Sequence, residues 1–77
     1  MAFALRDLSV LAYANGFTLW HYKAGEGPLA AVEAAGFFND AGDMMALGDM
    51  MMVSGRDGAR LLYITQTEGE VVTAPTA

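Results

Sequence analysis

Residues Gly36–Val53, GFFNDAGDMMALGDMMMV, decide how the rest of the chain is arranged. An aromatic pair is followed by a short acidic segment, then by a Gly-Asp step into a run of methionines. Gly36, Gly42 and Gly48 recur every six residues, so no single long helix fits. The spacing predicts a loop through Phe37 and Phe38, a helical turn from about Asn39 to Ala46, a corner at Leu47-Gly48-Asp49 and a strand from Met50 to Val53. Asn39 or Asp40 is suited to cap the turn, because a short polar side chain accepts from the orphan N–H groups of a first turn. Gly48 is suited to end it, since only glycine enters the left-handed region cheaply. The stretch is too apolar to face water, and both flanks read as β-hairpins able to cover it.

Upstream, Ser9–Ala14 and Phe17–Lys23 flank Asn15-Gly16. Asn-Gly between β-prone runs signals a hairpin, because a type I′ turn needs positive φ at both central residues. In that register Ala14 pairs with Phe17. Phe17, Leu19 and His21 then share one face, and Thr18, Trp20 and Tyr22 the other. Both faces carry large apolar groups, so one is expected to meet the domain and the other a partner. Residues 1–8 read as an N-terminal arm. Pro28–Ala35 reads as two helical turns, with Pro at the first helical position and Gly36 at the C′ site; a strand through Ala31–Ala35 is the alternative. Downstream, Ser54–Gly58 is a tight turn and Ala59–Thr67 a strand rich in Leu, Tyr, Ile and Thr. Glu68-Gly69 turns the chain into a last short strand, Glu70–Thr73, ended by Pro75. Met50–Thr73 is thus a three-stranded meander, and residues 74–77 are a flexible end.

The expected fold is one small domain over residues 1–77, α+β and β-dominated. It has an N-terminal hairpin, one or two short helices and a C-terminal meander. A small, partly open β-barrel is the expected closure, since a meander leaves edges that need covering. A chain of 77 residues buries only about 60% of its unfolded surface. Small domains answer this with disulfides, metals or oligomerisation. The chain has no cysteine and one histidine, which excludes disulfides, thiolate metal sites and histidine clusters. Yet 55% of its residues are hydrophobic, with a mean hydropathy of +0.32, so part of that apolar content must lie on the surface. Oligomerisation or docking on a scaffold is the remaining answer. The net charge of −5, with only Arg6, Lys23, Arg56 and Arg60 positive, argues against a nucleic-acid partner. No apolar run approaches the ~18 residues of a membrane span, and Arg6-Asp7 interrupts any secretory signal core.

The candidate sites are few. Asn39, Asp40, Asp43 and Asp49 concentrate oxygen ligands, but without the alternation of a calcium loop; capping and helix-dipole placement are the plainer reading. His21 lacks an evident nucleophile and orienting carboxylate; Ser9 is expected across the hairpin, near Tyr22, and a hydroxyl on an adjacent strand is weak support for catalysis. No phosphate-loop glycine pattern occurs. Neither catalytic, cofactor-binding nor metal-binding residues are therefore assigned. Met44, Met45, Met50, Met51 and Met52 divide between core filler and adaptable binding surface. Aromatic residues are enriched in interface cores. Phe17, Leu19, Trp20, Tyr22, Phe37, Phe38 and Met51 are the interface candidates, expected to divide between core and contact surface.

Three pieces in order carry a family resemblance: LAYANGFTLWHYK (Leu11–Lys23), AAGFFNDAGDMMALGDMMMV (Ala34–Val53) and LLYITQTEGEVVTA (Leu61–Ala74). They resemble small structural proteins of tailed bacteriophages and prophages. Members of that group read as an NGFTLWHY hairpin, then GYFNDA, then L-x-x-GD-x-I, then a strand ending near G-x-V-T. The resemblance covers most of the chain. The chain departs from it at Phe37, where Tyr is common, and at methionines standing where Ile or Leu is common. The resemblance implies a virion component on or near the head, either a capsid decoration protein or the base of a head spike or fibre. It implies no enzyme activity and no cofactor. Its partners would be the major capsid protein or other virion proteins, with self-association favoured as a trimer over a pentamer. Its place would be the virion, after synthesis in the host cytoplasm. The alternative is a small cytosolic module that binds a partner protein. A weaker third reading is a hydrolase subunit using His21.

Overall fold

The structure, a computed structural model, describes residues 3–76. Residues 1, 2 and 77 lie outside the described residues, so the arm expected over 1–8 and the flexible end expected over 74–77 are described only in part. Five strands form one mixed sheet in the order β1-β2-β3-β4-β5. They are β1 (Leu8–Ala14), β2 (Phe17–Gly25), β3 (Met50–Gly55), β4 (Gly58–Gln66) and β5 (Val72–Pro75). β1 with β2, β3 with β4 and β4 with β5 are antiparallel, while β2 and β3 run parallel. The β-dominated α+β class, the N-terminal hairpin and the C-terminal meander are as the sequence suggests.

The first hairpin follows from its turn. Asn15 and Gly16 take φ of 52° and 80°, and Ala14 pairs with Phe17. Leu11 is looped out between Val10 and Ala12, a bulge that the alternation did not announce. The second hairpin closes at Gly55 and Gly58 around Arg56-Asp57.

The parallel β2–β3 pair sets the topology. Parallel neighbours need a crossover of a dozen or more residues. Here residues 26–49 supply it, all of them between the end of β2 and the start of β3. They contain one turn of α-helix, α1 (Leu29–Val32), and a 3-10 stretch at Asn39–Met44. Two glycines take positive φ there, Gly36 at 86° and Gly48 at 88°. The 3-10 stretch ends at Met44, with Met45 extended at its C-cap. Gly48 therefore does not end it as expected but forms the separate corner before β3, where its N–H bonds to Ile64 O at 3.0 Å.

The crossover lies over one face of the sheet and buries it. Tyr22, Met51, Val53, Leu62 and Ile64 point into this core from the strands; Leu29, Val32, Phe38, Ala41 and Met45 meet them from the crossover. Phe3, Tyr22, Phe37 and Phe38 form an aromatic cluster, with ring centroids 5.0–6.0 Å apart. Five of the six ring pairs are edge-to-face, the arrangement that the ring quadrupole favours. The N-terminal segment is therefore docked over its described part: Phe3 stacks on Tyr22, and Ala4 N–H donates to the Tyr22 hydroxyl at 3.0 Å.

Four expectations are corrected. The sheet does not close into a barrel, because β1 and β5 are both free edges. The core is completed by the crossover layer, so the sheet need not curl round to enclose it. The helix expected over Pro28–Ala35 is a single turn with Pro28 at its N-cap, since α1 stops at Val32 before the chain bends through Gly36. No side chain caps the 3-10 stretch; the Asn39 Oδ1 instead accepts from Val71 N–H at 2.7 Å, tying the crossover to the β4–β5 loop. Ala74 and Pro75 belong to β5 rather than to a loose end. Pro is tolerated there because β5 is an edge strand.

Candidate functional site

The register fixes what each face presents. Thr18, Trp20, Tyr22 and Ala24 of β2 point under the crossover and are buried; Phe17, Leu19, His21 and Lys23 point the other way. Across the ladder, Leu19 pairs with Met50 and Met50 with Tyr63, and Tyr63 pairs with Ala74. In the next row His21 pairs with Met52 and Met52 with Leu61. Paired residues share a face, so these two rows form a second, largely apolar sheet surface with no layer of the described residues over it. Phe17, Met52, Leu61 and Tyr63 are each 40–43% exposed, and Leu19 and Met50 half-buried. Tyr13, paired with Thr18 and so on the other side of the sheet, and Leu11 at the bulge are exposed outside this surface.

The interface candidates divide between the two faces. Phe17 and Leu19 lie on the open one. Trp20, Tyr22, Phe38 and Met51 are in the chain's own core, and Phe37 packs against it. The Trp20–Tyr22 face is thus the inward one, and the surface belongs to Phe17, Leu19 and their neighbours on β3 and β4. Sequence reasoning missed Met50, Met52, Leu61 and Tyr63 as members of that surface. Strand alternation alone would have put Met50 and Met52 together, but their union with Leu19 depends on the parallel pairing.

Trp20 is drawn inward by a specific polar partner. Asp49 is 2% exposed and accepts three hydrogen bonds. Its Oδ1 takes Thr18 N–H at 3.2 Å; its Oδ2 takes Trp20 Nε1–H and Ala46 N–H, both at 3.1 Å. The Asp49 carbonyl also accepts from Ile64 N–H at 2.9 Å. One residue thereby joins β2, the Gly48 corner and β4. Buried carboxylates are tolerated when donors surround them in this way.

The other acidic residues expected near it do not converge with it. Asp40 and Asp43 are exposed, and Asn39 is engaged with Val71. Among the described residues, no group of three or more His, Asp or Glu is placed to hold a metal ion.

His21 stands on the open face, opposite Ser9 and 2.8 Å from the Ser54 hydroxyl through its Nε2. Nucleophilic catalysis needs a third group to orient the imidazole. No carboxylate is hydrogen-bonded to the ring among the described residues. Beyond Ser54, a shallow groove of about 330 Å³ runs between Lys23, Glu26 and Arg56. Its one ion pair, Arg56 with Glu26 at 3.1 Å, is exposed on both sides. The site with physical content is therefore the open face: a flat apolar surface with one polar end. No helix of the described residues is long and apolar enough to cross a membrane.

No family model matches the chain, and neither a curated protein nor a solved structure matches it.

Proposed function

We propose that the chain is a structural component of a phage-like virion, attached to the capsid surface as a decoration protein or as the base of a head spike or fibre. The observation that carries this reading is the uncovered apolar sheet face. A chain of 77 residues that leaves half of its sheet bare is built for an assembled state. The resemblance of Leu11–Lys23, Ala34–Val53 and Leu61–Ala74 to phage structural proteins supplies the setting. The scaffold would be the major capsid protein or another virion protein, and the work is contact rather than chemistry.

Mass spectrometry of purified particles tests it. The chain is expected in particles at many copies. Its presence in infected-cell lysate and absence from particles would remove the virion reading. That outcome would favour a small cytosolic module binding a partner protein, a reading that the same open face supports.

A further inference from the structure

We propose that a second copy of this chain covers the open face, the two sheets stacking about a two-fold axis into a β-sandwich. The inference rests on reading the open face as a docking surface; a second copy takes the place of the scaffold on that face, and any scaffold contact falls to the rim or back of the pair.

The charge distribution points to self-association through this face. The chain carries nine Asp and Glu residues and a net charge of −5. All nine lie in turns, helical stretches or connections; none lies in a strand. Glu33, Asp40 and Asp43 belong to the crossover, on the far side of the sheet. Among the described residues, the open face holds a single charge, Lys23, at one end. Two acidic molecules repel in most orientations. Approach by the open faces brings no strand carboxylate against another and leaves the acids at the rim and back.

Size and shape agree. Strands stand about 4.8 Å apart and rise about 3.3 Å per residue, so five strands flanking a nine-residue centre offer on the order of 500 Å² in plan. Side-chain relief raises the accessible area toward the ~800 Å² per partner of a standard interface. Stacked sheets pack about 10 Å apart with their inner side chains interdigitated. The row Ala12, Leu19, Met50, Tyr63, Ala74 runs from small residues at both edges to large ones in the middle. β3 is the third of five strands, so Met50 and Met52 lie near the centre. A two-fold there sets each methionine near its own mate, and methionine adapts to such a self-facing contact. An isologous contact of this kind closes at two copies.

Sedimentation equilibrium of the purified full chain, from low to high micromolar concentration, tests the proposal. The expected species has twice the 8.1 kDa mass of the chain. Met52→Lys and Tyr63→Lys should each weaken association by roughly 100-fold or more, because each places a charge inside a desolvated contact. Leu11→Lys, at the bulge on the β1 edge, should leave the dimer intact. Circular dichroism checks that the variants keep their fold. The chain has no cysteine, so Met52→Cys offers a second measurement free of background. Mild oxidation should link two Met52→Cys chains and leave Tyr13→Cys chains unlinked. A wild-type monomer at every concentration, a trimer, or no link through Met52→Cys would overturn the proposal. So would dissociation by Leu11→Lys with Met52→Lys still paired, which would place the contact at the sheet edge.

Discussion

The two faces of the sheet are made by the same strands from nearly the same residues. Tyr22, Met51 and Leu62 are buried on one; Leu19, Met52 and Tyr63 stand half in water on the other. Composition does not separate them. The crossover does, because residues 26–49 can lie over only one side of the strands they join. Two polar details fix which side. Asp49 holds the Trp20 indole under the crossover, and the Tyr22 hydroxyl accepts from Ala4 N–H on the same side. In a small sheet, burial is thus decided by where the connection passes and which hydrogen bonds it completes.

The largest effects should come from the covered face. Asp49→Ala leaves two buried N–H donors, of Thr18 and Trp20, without their acceptor, at about 1–3 kcal/mol each, and frees the partly buried Ala46 N–H. Phe38→Ala opens a cavity in the aromatic cluster and should cost about 3–5 kcal/mol. A chain of this size rarely has more than about 3–5 kcal/mol in total. Both variants should therefore be unfolded by far-ultraviolet circular dichroism; a cooperative urea transition near that of the wild type in either would break the contrast between the faces. Gly48→Ala comes next. A Cβ there meets nothing within 4 Å, so the cost is that of an L-residue at φ of 88°, about 1–2 kcal/mol. Urea midpoints measure it, and no change would mean that the corner rearranges freely. On the open face, at dilutions below those at which copies pair, Tyr63→Ala should cost the folded chain about 1 kcal/mol or less, against the several of Phe38→Ala. Comparable losses in the two at that dilution would show Tyr63 to be packed within the single chain. The smallest effect belongs to His21→Ala, which gives up one half-buried hydrogen bond to Ser54, worth about 0.5–1 kcal/mol. A larger loss would mean that His21 is part of a packed site.

Local chemistry made the hairpins legible. Asn15-Gly16 announced its turn and register because the positive φ requirement is carried by two adjacent residues. The Gly48 corner was readable from a single glycine at positive φ, and the turn around Arg56-Asp57 from the glycines that flank it. The parallel pairing of β2 with β3 was not, since it joins residues 31 positions apart, such as Leu19 and Met50, with no local mark. The inward face could not be chosen from alternation either, because Trp20 and Tyr22 compete with Phe17 and Leu19 on nearly equal terms. The partner that decides it, Asp49, reads in isolation as a capping or ligand oxygen. The open face became visible only once Met50, Met52, Leu61 and Tyr63 were set beside Leu19.

The parallel join also imposes an order in time. Each hairpin closes from neighbouring residues and can form within about 1–10 μs. β2 and β3 can meet only after the whole crossover exists, and such non-local closures are the slow steps of folding. On the ribosome, β2 is complete at Gly25, while β4 is finished only at Gln66. β3, the partner of β2, is complete only at Gly55, 30 residues after Gly25, so at ordinary synthesis speeds of about 5–20 residues per second the first hairpin waits roughly 1.5 to 6 seconds with both of its apolar sides bare. During those seconds the nascent chain is a substrate for any holdase that grips exposed aromatic strands, and Trp20 and Tyr22 are then as available as Phe17 and Leu19.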